Sequence, residues 1–154
     1  MARNFIEIRA GAEAVFDVLD DPYAYPRWVV GTRRIRSVDP DWPAVGSRFH
    51  HAVGNAAGEL HDSSKVLLRE RPRRIVLEVR FRPTGIARVE IGVTPNDTSS
   101  TVVIEETPTG GPITRVPRFV TDPLLTLRNA LSLQRLRHEV ERRAATATDP
   151  APAR

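Results

Sequence analysis

The sequence has no cysteine, no long apolar run and almost no lysine. Without cysteine, neither disulfide bonds nor thiolate chemistry can contribute to the fold or the function of these 154 residues. The sequence contains no run of 18 apolar residues and no signal-type start, so it predicts neither a membrane span nor export. We therefore expect a cytoplasmic protein.

The positive charge is carried almost entirely by arginine. Lys65 is the only lysine among the 23 basic residues, and the formal net charge is +4. A nucleic-acid surface would concentrate basic residues on one element, with aromatic side chains between them. Here the arginines are spread over most segments with acids among them, which indicates a solvated surface and no nucleic-acid partner.

Length and composition predict a single domain over residues 1–144. No break in composition occurs before the tail, and a chain of this length can bury a sizeable core. The tail, residues 145–154, is rich in alanine, threonine and proline, and we expect it to be disordered.

A long helix is predicted after Asp122-Pro123, a pair that is typical of a helix N-terminus. Apolar residues recur at helical spacing as far as Ala144, on more than one side of the helix, so other elements must contact it on more than one side. The arginines near its end, such as Arg142 and Arg143, predict a partly exposed C-terminal part and a more enclosed N-terminal part.

Before this helix, most apolar residues alternate with a period of two. The pattern predicts a first strand from Phe5, two short helices ending at Trp28, and then six strands. These six are Arg33 to Val38, Ser47 to Val53, Glu59 to Arg69, Arg73 to Phe81, Ile86 to Val93 and Thr101 to Glu106. Short connections predict an antiparallel meander. The predicted fold class is α+β, with a curved sheet of six or seven strands wrapped around the C-terminal helix.

Five segments between Phe5 and about Arg143 carry a resemblance to a known superfamily. They are Ala14-Val-Phe-Asp-Val-Leu-Asp-Asp-Pro with Tyr25 and Trp28, Val45-Gly-Ser-Arg-Phe, Arg71-Pro-Arg-Arg-Ile, Thr101-Val-Val-Ile-Glu, and Asn129 with Leu133 and Leu136. They resemble the START / Bet v 1-like superfamily, also called the SRPBCC group, and within it the polyketide cyclase/dehydrase branch. The resemblance implies a helix-grip fold whose cavity, between the sheet and the long helix, holds a small hydrophobic molecule.

Strand parity predicts which side chains face this cavity. In the strands around residues 73–82 and 86–93, every second residue is apolar, so one face of each strand forms an apolar wall. The predicted ligand-contacting residues of this wall are Leu77, Val79, Phe81, Val89 and Ile91.

A His-Asp pair is predicted on the inward face of the neighbouring hairpin. A turn at residues 54–58 that keeps the apolar parity places His51 opposite Asp62 and Phe49 opposite Ser64. A carboxylate beside an imidazole favours the charged imidazole, whereas burial opposes it. The two residues are either the acid/base pair of a cofactor-independent cyclase or dehydratase, or a structural ion pair.

The last strand and the long helix supply further candidates. In the strand, either Val102 and Ile104 or the opposite face with Glu105 points inward, and resemblance to plant hormone receptors of the same fold favours Glu105 as a ligand anchor. In the helix, Asn129 shares a face with Leu125, and a buried amide needs a hydrogen-bond partner. We predict that both helix residues line the cavity.

No spacing of His, Asp or Glu resembles a metal site, and no glycine-rich phosphate loop follows a strand. We therefore expect no metal and no cofactor. The sequence favours a monomer or weak homodimer that binds a small hydrophobic molecule of the lipid, quinone or aromatic polyketide type. The alternative is a polyketide cyclase or dehydratase that uses His51 and Asp62.

Overall fold

The computed structural model describes residues 1–148, which form one seven-stranded sheet and three helices. The strands are β1 (Ala2–Ile8), β2 (Thr32–Val38), β3 (Arg48–Asn55), β4 (Gly58–Glu70), β5 (Arg74–Phe81), β6 (Gly85–Pro95) and β7 (Ser100–Gly110). The helices are α1 (Ala12–Leu19), α2 (Tyr25–Trp28) and α3 (Arg118–Thr148), with short 3-10 turns at Pro22–Ala24 and Pro112–Arg115. The α+β helix-grip prediction is confirmed.

The sheet is antiparallel throughout, and its strand order is β1-β7-β6-β5-β4-β3-β2. Strands β2 to β7 follow one another as a meander, and β1 pairs with β7 at one edge. The long helix α3 packs on the curved sheet and also contacts α1 and α2. No helix within residues 1–148 is long and apolar enough to cross a membrane.

The core lies between the sheet, the two short helices and the C-terminal half of α3. Phe16, Phe49, Leu133 and Leu136 are among its largest fully buried side chains. Aromatic packing joins the helices to the sheet, since the Tyr25 and Phe49 rings lie 4.8 Å apart. The Tyr25 hydroxyl also donates a hydrogen bond to the Leu19 carbonyl at 2.9 Å, which fixes α2 against α1.

Helix α3 is longer than predicted at both ends. It begins at Arg118, because the Pro117 carbonyl accepts the first hydrogen bonds of the helix from Val120 and Thr121. Pro123 therefore lies inside the helix, where its ring removes one backbone donor. Asp122 is not the N-cap. Its carboxylate instead pairs with the N-terminal ammonium group of Met1 at 3.2 Å.

At the other end, the helix continues through residues 145–148, which the sequence placed in a disordered tail. Alanine favours the helix here, and the hydroxyls of Thr146 and Thr148 bond back to helical carbonyls one turn earlier. The remainder of the predicted tail, residues 149–154, lies outside the described residues.

The two halves of α3 are buried in the opposite sense to the prediction. In the C-terminal half, Leu133, Leu136 and Val140 are almost fully buried. In the N-terminal half, Leu124 and Leu127 are 68% and 60% exposed. The arginines near the end of α3 form ion pairs: Arg142 and Arg143 bind Glu139 of the same helix, and Arg143 also binds Asp21.

Candidate functional site

A cavity of about 290 Å³ lies between the sheet, α2 and the N-terminal half of α3. Its volume is near the lower end of the roughly 300–1,000 Å³ that small-molecule sites occupy. Nine of the predicted site residues line it: Phe49, His51, Ser64, Leu77, Val79, Phe81, Val89, Ile91 and Asn129. The wall is mostly apolar, with a few polar side chains, as expected for a site that holds a hydrophobic molecule.

The sheet register brings these side chains together. In the β3–β4 hairpin, Phe49 pairs with Ser64 and His51 with Asp62, which is the register that the sequence predicts. Ser64 in turn pairs with Val79 on β5. Because facing residues share a side of the sheet, the alternating apolar pattern carries the same wall across four neighbouring strands.

His51 lies on the cavity wall and is a candidate acid or base. Only 3% of it is exposed, and its ring packs against Phe49 with 5.5 Å between centroids. Burial lowers the pKa of His51 below its ordinary value of 6.5, although the charge of Asp62 opposes this effect. The imidazole is therefore neutral at pH 7. Its buried Nδ1 has no hydrogen-bond partner among residues 1–148.

Asp62 is opposite His51 but does not reach the cavity, so the predicted contact inside the pocket is wrong. Its Oδ1 accepts a hydrogen bond from the Arg82 backbone N–H at 3.1 Å, and no bond or ion pair joins it to His51 within the described chain. The aspartate side chain is short, so it cannot reach both the β5–β6 connection and its cross-strand neighbour. Here it accepts the hydrogen bond at the β5–β6 connection and does not contact His51. His51 stands on the cavity wall without it.

Asn129 occupies the place predicted for it. It is 1% exposed and lines the cavity from α3, and its Nδ2 has no hydrogen-bond partner in the described part of the chain. One turn further along the helix, the Ser132 hydroxyl accepts a hydrogen bond from the Val30 N–H at 3.1 Å. This bond ties the segment after α2 to α3 and closes one side of the cavity.

The predicted ligand anchor Glu105 points away from the cavity. It pairs with Arg3 at 2.9 Å on the outer face of the sheet. The register explains the correction, because Ile104 lies opposite the inward residue Ile91 on β6 and fixes the parity of β7. Glu106, the next residue, is the buried acid of this strand.

Glu106 and Arg128 form an ion pair that the sequence did not reveal, in which Glu106 is buried and Arg128 is partly buried. The Arg128 Nη2 donates to Glu106 Oε2 at 2.7 Å, and the guanidinium group lies 5.2 Å from the centre of the Phe81 ring. Arg128 lines the cavity beside Asn129. A polar pair, Arg128-Asn129, inside a leucine-rich helix was the available signal, since polar residues in an apolar stripe indicate an inward polar site.

Several other wall residues escaped prediction because they lie in α2 and in the segment that follows it. This segment has no period of two or 3.6 from which an inward face can be derived. The cavity residues outside the predicted set are Tyr25, Trp28, Val29, Val30, Gly31, Thr32, Val53, Ile104, Arg128 and Ser132. Among them, the buried Trp28 Nε1 has no hydrogen-bond partner within residues 1–148.

Leu125 does not line the cavity, contrary to the prediction. It lies in an outer groove of about 430 Å³, formed by α3, the ends of β6 and β7, and the turn at Pro112–Arg115. Leu125 precedes Asn129 by four residues, but Leu125 lines the groove and Asn129 lines the cavity, so the helical face they share runs from one compartment into the other. Within residues 1–148 no group of three His, Cys, Asp or Glu side chains is arranged to hold a metal ion.

A curved antiparallel sheet that holds a long C-terminal helix, with an apolar cavity between them, defines a helix-grip protein of the Bet v 1-like (SRPBCC) superfamily. Residues 2–141 match the family described as "Polyketide cyclase / dehydrase and lipid transport". The chain belongs to this family. Among curated protein sequences, none is similar enough to match it.

Solved structures share the fold at low sequence identity. Protein CV1439 from Chromobacterium violaceum is 20% identical with a TM-score of 0.69, over 90% of this chain and 96% of that one. The di-domain ARO/CYC StfQ from the steffimycin biosynthetic pathway is 13% identical with a TM-score of 0.72, over 93% of this chain and 51% of StfQ. The di-domain ARO/CYC BexL from the BE-7585A pathway is 18% identical with a TM-score of 0.70, over 91% and 46%. This chain therefore spans about half of each di-domain protein.

Proposed function

We propose that the protein binds a small hydrophobic molecule with hydrogen-bonding oxygen atoms in the cavity between the sheet and α3. The observation that carries this proposal is an apolar cavity lined by three residues that each have a buried polar atom without a partner within residues 1–148. These atoms are His51 Nδ1, Asn129 Nδ2 and Trp28 Nε1. Most buried polar groups in proteins are hydrogen-bonded, so unpaired ones on a cavity wall favour a ligand that pairs with them.

The wall chemistry narrows the class of ligand. An indole N–H and an amide N–H₂ donate hydrogen bonds, and a neutral imidazole can donate or accept. They suit carbonyl and phenolic oxygens better than a plain hydrocarbon, which would leave them unpaired at a cost of about 1–3 kcal/mol each. An oxygenated aromatic molecule, such as a quinone or an aromatic polyketide, can pack against the apolar wall and also form hydrogen bonds with its polar groups.

A ligand panel tests the proposal. Naphthoquinones, hydroxynaphthalenes, naphthalene and a medium-chain fatty acid are titrated while tryptophan fluorescence and the thermal midpoint are followed. We expect the oxygenated aromatics to quench the fluorescence and raise the midpoint, and naphthalene to bind at least tenfold more weakly. If none of the compounds binds, the proposal is wrong.

A matched pair of variants locates the binding. Val79→Phe places a ring in the cavity, whereas Val103→Phe places the same ring on the opposite face of the sheet. The first variant should lose binding and the second should retain it. Equal binding by the two variants would contradict a site in this cavity.

The second candidate function is proton transfer to or from a bound carbonyl compound, as in a cofactor-independent cyclase or dehydratase. One observation favours it: His51 is buried on the cavity wall, and its lowered pKa leaves it neutral and able to act as a base at pH 7. Asp62 forms no hydrogen bond with His51, so it does not orient the imidazole directly. The candidate base is therefore His51, and Asp62 affects it only through its charge.

Hydrogen exchange tests this second function without knowledge of the substrate. A bound aryl methyl ketone in heavy water should exchange its methyl protons faster with the protein present, and NMR follows the loss of the signal. His51→Ala should abolish the acceleration. His50→Ala, on the other face of the same strand, is the matched control and should retain it. Acceleration that survives in His51→Ala would rule out His51 as the base.

A further inference from the structure

The cavity and the outer groove meet at a common wall. The groove of about 430 Å³ is lined by Ala87, Pro108, Ile113, Leu124, Leu125 and Leu127, among others. It shares Val30, Phe81 and Arg128 with the inner cavity. These three side chains therefore separate the two compartments, and together they are called the partition here. The groove is apolar like the cavity, although it is more open to solvent.

Arg128, in the partition, and the neighbouring Glu106 and Asn129 have buried polar atoms that remain unpaired within residues 1–148. One hydrogen bond, from Arg128 Nη2 to Glu106 Oε2, joins the two charged groups. The other carboxylate oxygen, Glu106 Oε1, and the Arg128 Nε are buried, and neither has a partner among the described residues. Asn129 Nδ2 is also buried without a partner in the described chain. Arg128 Nη2 lies 3.5 Å from Asn129 Oδ1. Glu106 and Asn129 are each 1% exposed.

Such a group of atoms does not serve stability well. The Glu106 carboxylate is buried although Arg128 is partly exposed, and a carboxylate offsets the desolvation cost of burial only when its oxygens are satisfied. Here an acceptor on Glu106 and donors on Arg128 and Asn129 are left over, side by side, at the point where the two compartments join. A neutral molecule that presents both a hydroxyl and a carbonyl oxygen supplies the missing partners.

We propose that the ligand is elongated and electrically neutral where it passes the partition. Its hydroxyl donates to Glu106, its carbonyl accepts from Arg128 or Asn129, its body fills the inner cavity, and an apolar chain lies in the outer groove. This inference rests on the proposed function and adds a second compartment and a charge preference to it. A carboxylate at the same point is disfavoured, because Arg128 is already paired with Glu106 and Glu106 places a like charge beside the ligand.

A chain-length series tests the second compartment. The probes are 2-acyl-1-naphthols with acyl chains of two, six and ten carbons, and the dissociation constant is measured by fluorescence titration. Each methylene group buried in the groove should tighten binding by about fourfold. Affinity that is the same for all three chains, or that falls with length, would overturn the inference.

Two serine substitutions of apolar residues in α3 locate the chain. Leu127→Ser alters the groove, and Phe119→Ser alters an exposed apolar residue of the same helix that does not line the groove. Leu127→Ser should weaken binding of the ten-carbon probe at least tenfold and leave binding of the two-carbon probe unchanged. Phe119→Ser should change the affinity for neither probe. Equal effects on short and long probes would contradict a chain in the groove.

A matched ligand pair tests the charge preference. 2-Acetyl-1-naphthol and 1-hydroxy-2-naphthoate have the same ring and hydroxyl, but the first has a neutral acetyl group where the second has a carboxylate. The wild-type protein should prefer the ketone at least tenfold, and Glu106→Gln should reduce that preference at least tenfold by removing the like charge. A preference that Glu106→Gln leaves unchanged would overturn the role of Glu106.

The outcomes separate the two proposals. If 2-acetyl-1-naphthol and the other oxygenated aromatics fail to bind, the proposed function fails and this inference fails with it. If 2-acetyl-1-naphthol binds but chain length and the Glu106 charge have no effect, the proposed function stands and the further inference is overturned.

Discussion

The two halves of α3 are made from similar residues but are used differently. Toward the C-terminus, leucine and valine face the core and the polar residues face outward or form ion pairs. Toward the N-terminus the arrangement is reversed, because Arg128 and Asn129 face the cavity while Leu124 and Leu127 are exposed. The C-terminal half follows the usual pattern of an amphipathic helix packed on a core, and the N-terminal half inverts it.

This difference separates stability from binding along one helix. Burial of leucine side chains stabilises the C-terminal half, whereas inward polar groups and exposed leucines reduce the stability of the N-terminal half. Such an arrangement is expected where a binding site requires polar atoms in an apolar wall. Substitutions in the C-terminal half should therefore change stability, and substitutions in the N-terminal half should change ligand affinity.

The largest effect is expected for Leu136→Ala, in the packed half. Leu136 is fully buried, and removal of a buried leucine side chain costs about 3 kcal/mol through lost burial and the cavity left behind. Urea unfolding followed by circular dichroism measures the change. Leu127→Ala on the exposed half is the control and should change the free energy of unfolding by less than about 0.5 kcal/mol. Similar losses in both variants would refute the division between the halves.

Glu139→Gln should give the next largest effect. Burial alone would raise the pKa of Glu139, but hydrogen bonds from Arg142, Arg143 and Arg27 outweigh it and lower the pKa to about 2. An unfolded glutamate has a pKa of 4.5, so the carboxylate stabilises the fold above pH 4.5 and loses this effect as the pH falls from 4.5 toward 2. At pH 7 the variant should be less stable by about 2–3 kcal/mol.

The pH dependence distinguishes this ion-pair cluster from simple packing. The stability difference between wild type and Glu139→Gln should shrink when urea unfolding is repeated at pH 5, 4 and 3. Glu105→Gln, which disrupts the more exposed pair with Arg3, is the control and should cost less than about 1 kcal/mol at any pH. A difference for Glu139→Gln that stays constant down to pH 3 would contradict the lowered pKa.

The sequence predicts much of this architecture because regular periods continue over long segments. Alternation sets the strands, and the β3–β4 turn sets the pairing of His51 with Asp62. The period alone does not decide between two faces that are both apolar, so it left Glu105 and its neighbours undetermined. Pairing of Ile104 with Ile91 decides the parity, and that contact is tertiary.

The interior of the site was harder to predict than the fold. Trp28 and Val30 line the cavity from α2 and an irregular segment without a period, and Val30 is held there by the long-range bond to Ser132. Arg128 was missed because an arginine on a helix is usually solvated. Its inward position depends on the buried partner Glu106, which no local pattern connects with it.

A third comparison concerns Asn129, in the half devoted to binding. Replacement by leucine removes an amide nitrogen that has no partner in the described chain, so Asn129→Leu should raise the free energy of unfolding by about 0.5–1 kcal/mol. The same variant should bind oxygenated aromatics at least fivefold more weakly. Gln134→Leu, at an exposed position of the same helix, should change neither. A destabilised Asn129→Leu would show that the amide serves the fold instead of the ligand.

The smallest expected effect is a shift in the titration of His51, which reports the charge on the cavity wall. Burial lowers its pKa below 6.5, so the folded protein takes up this proton less readily than the unfolded chain. Stability should accordingly decline as the pH falls below 6.5, and less so in His51→Gln. NMR titration should show the His51 imidazole protonating below 6.5, and Asp62→Asn should lower that pKa further by removing a charge that favours the imidazolium. If Asp62→Asn left the pKa unchanged or raised it, Asp62 would exert no electrostatic influence on the cavity, and the base of the proposed proton transfer would be His51 alone.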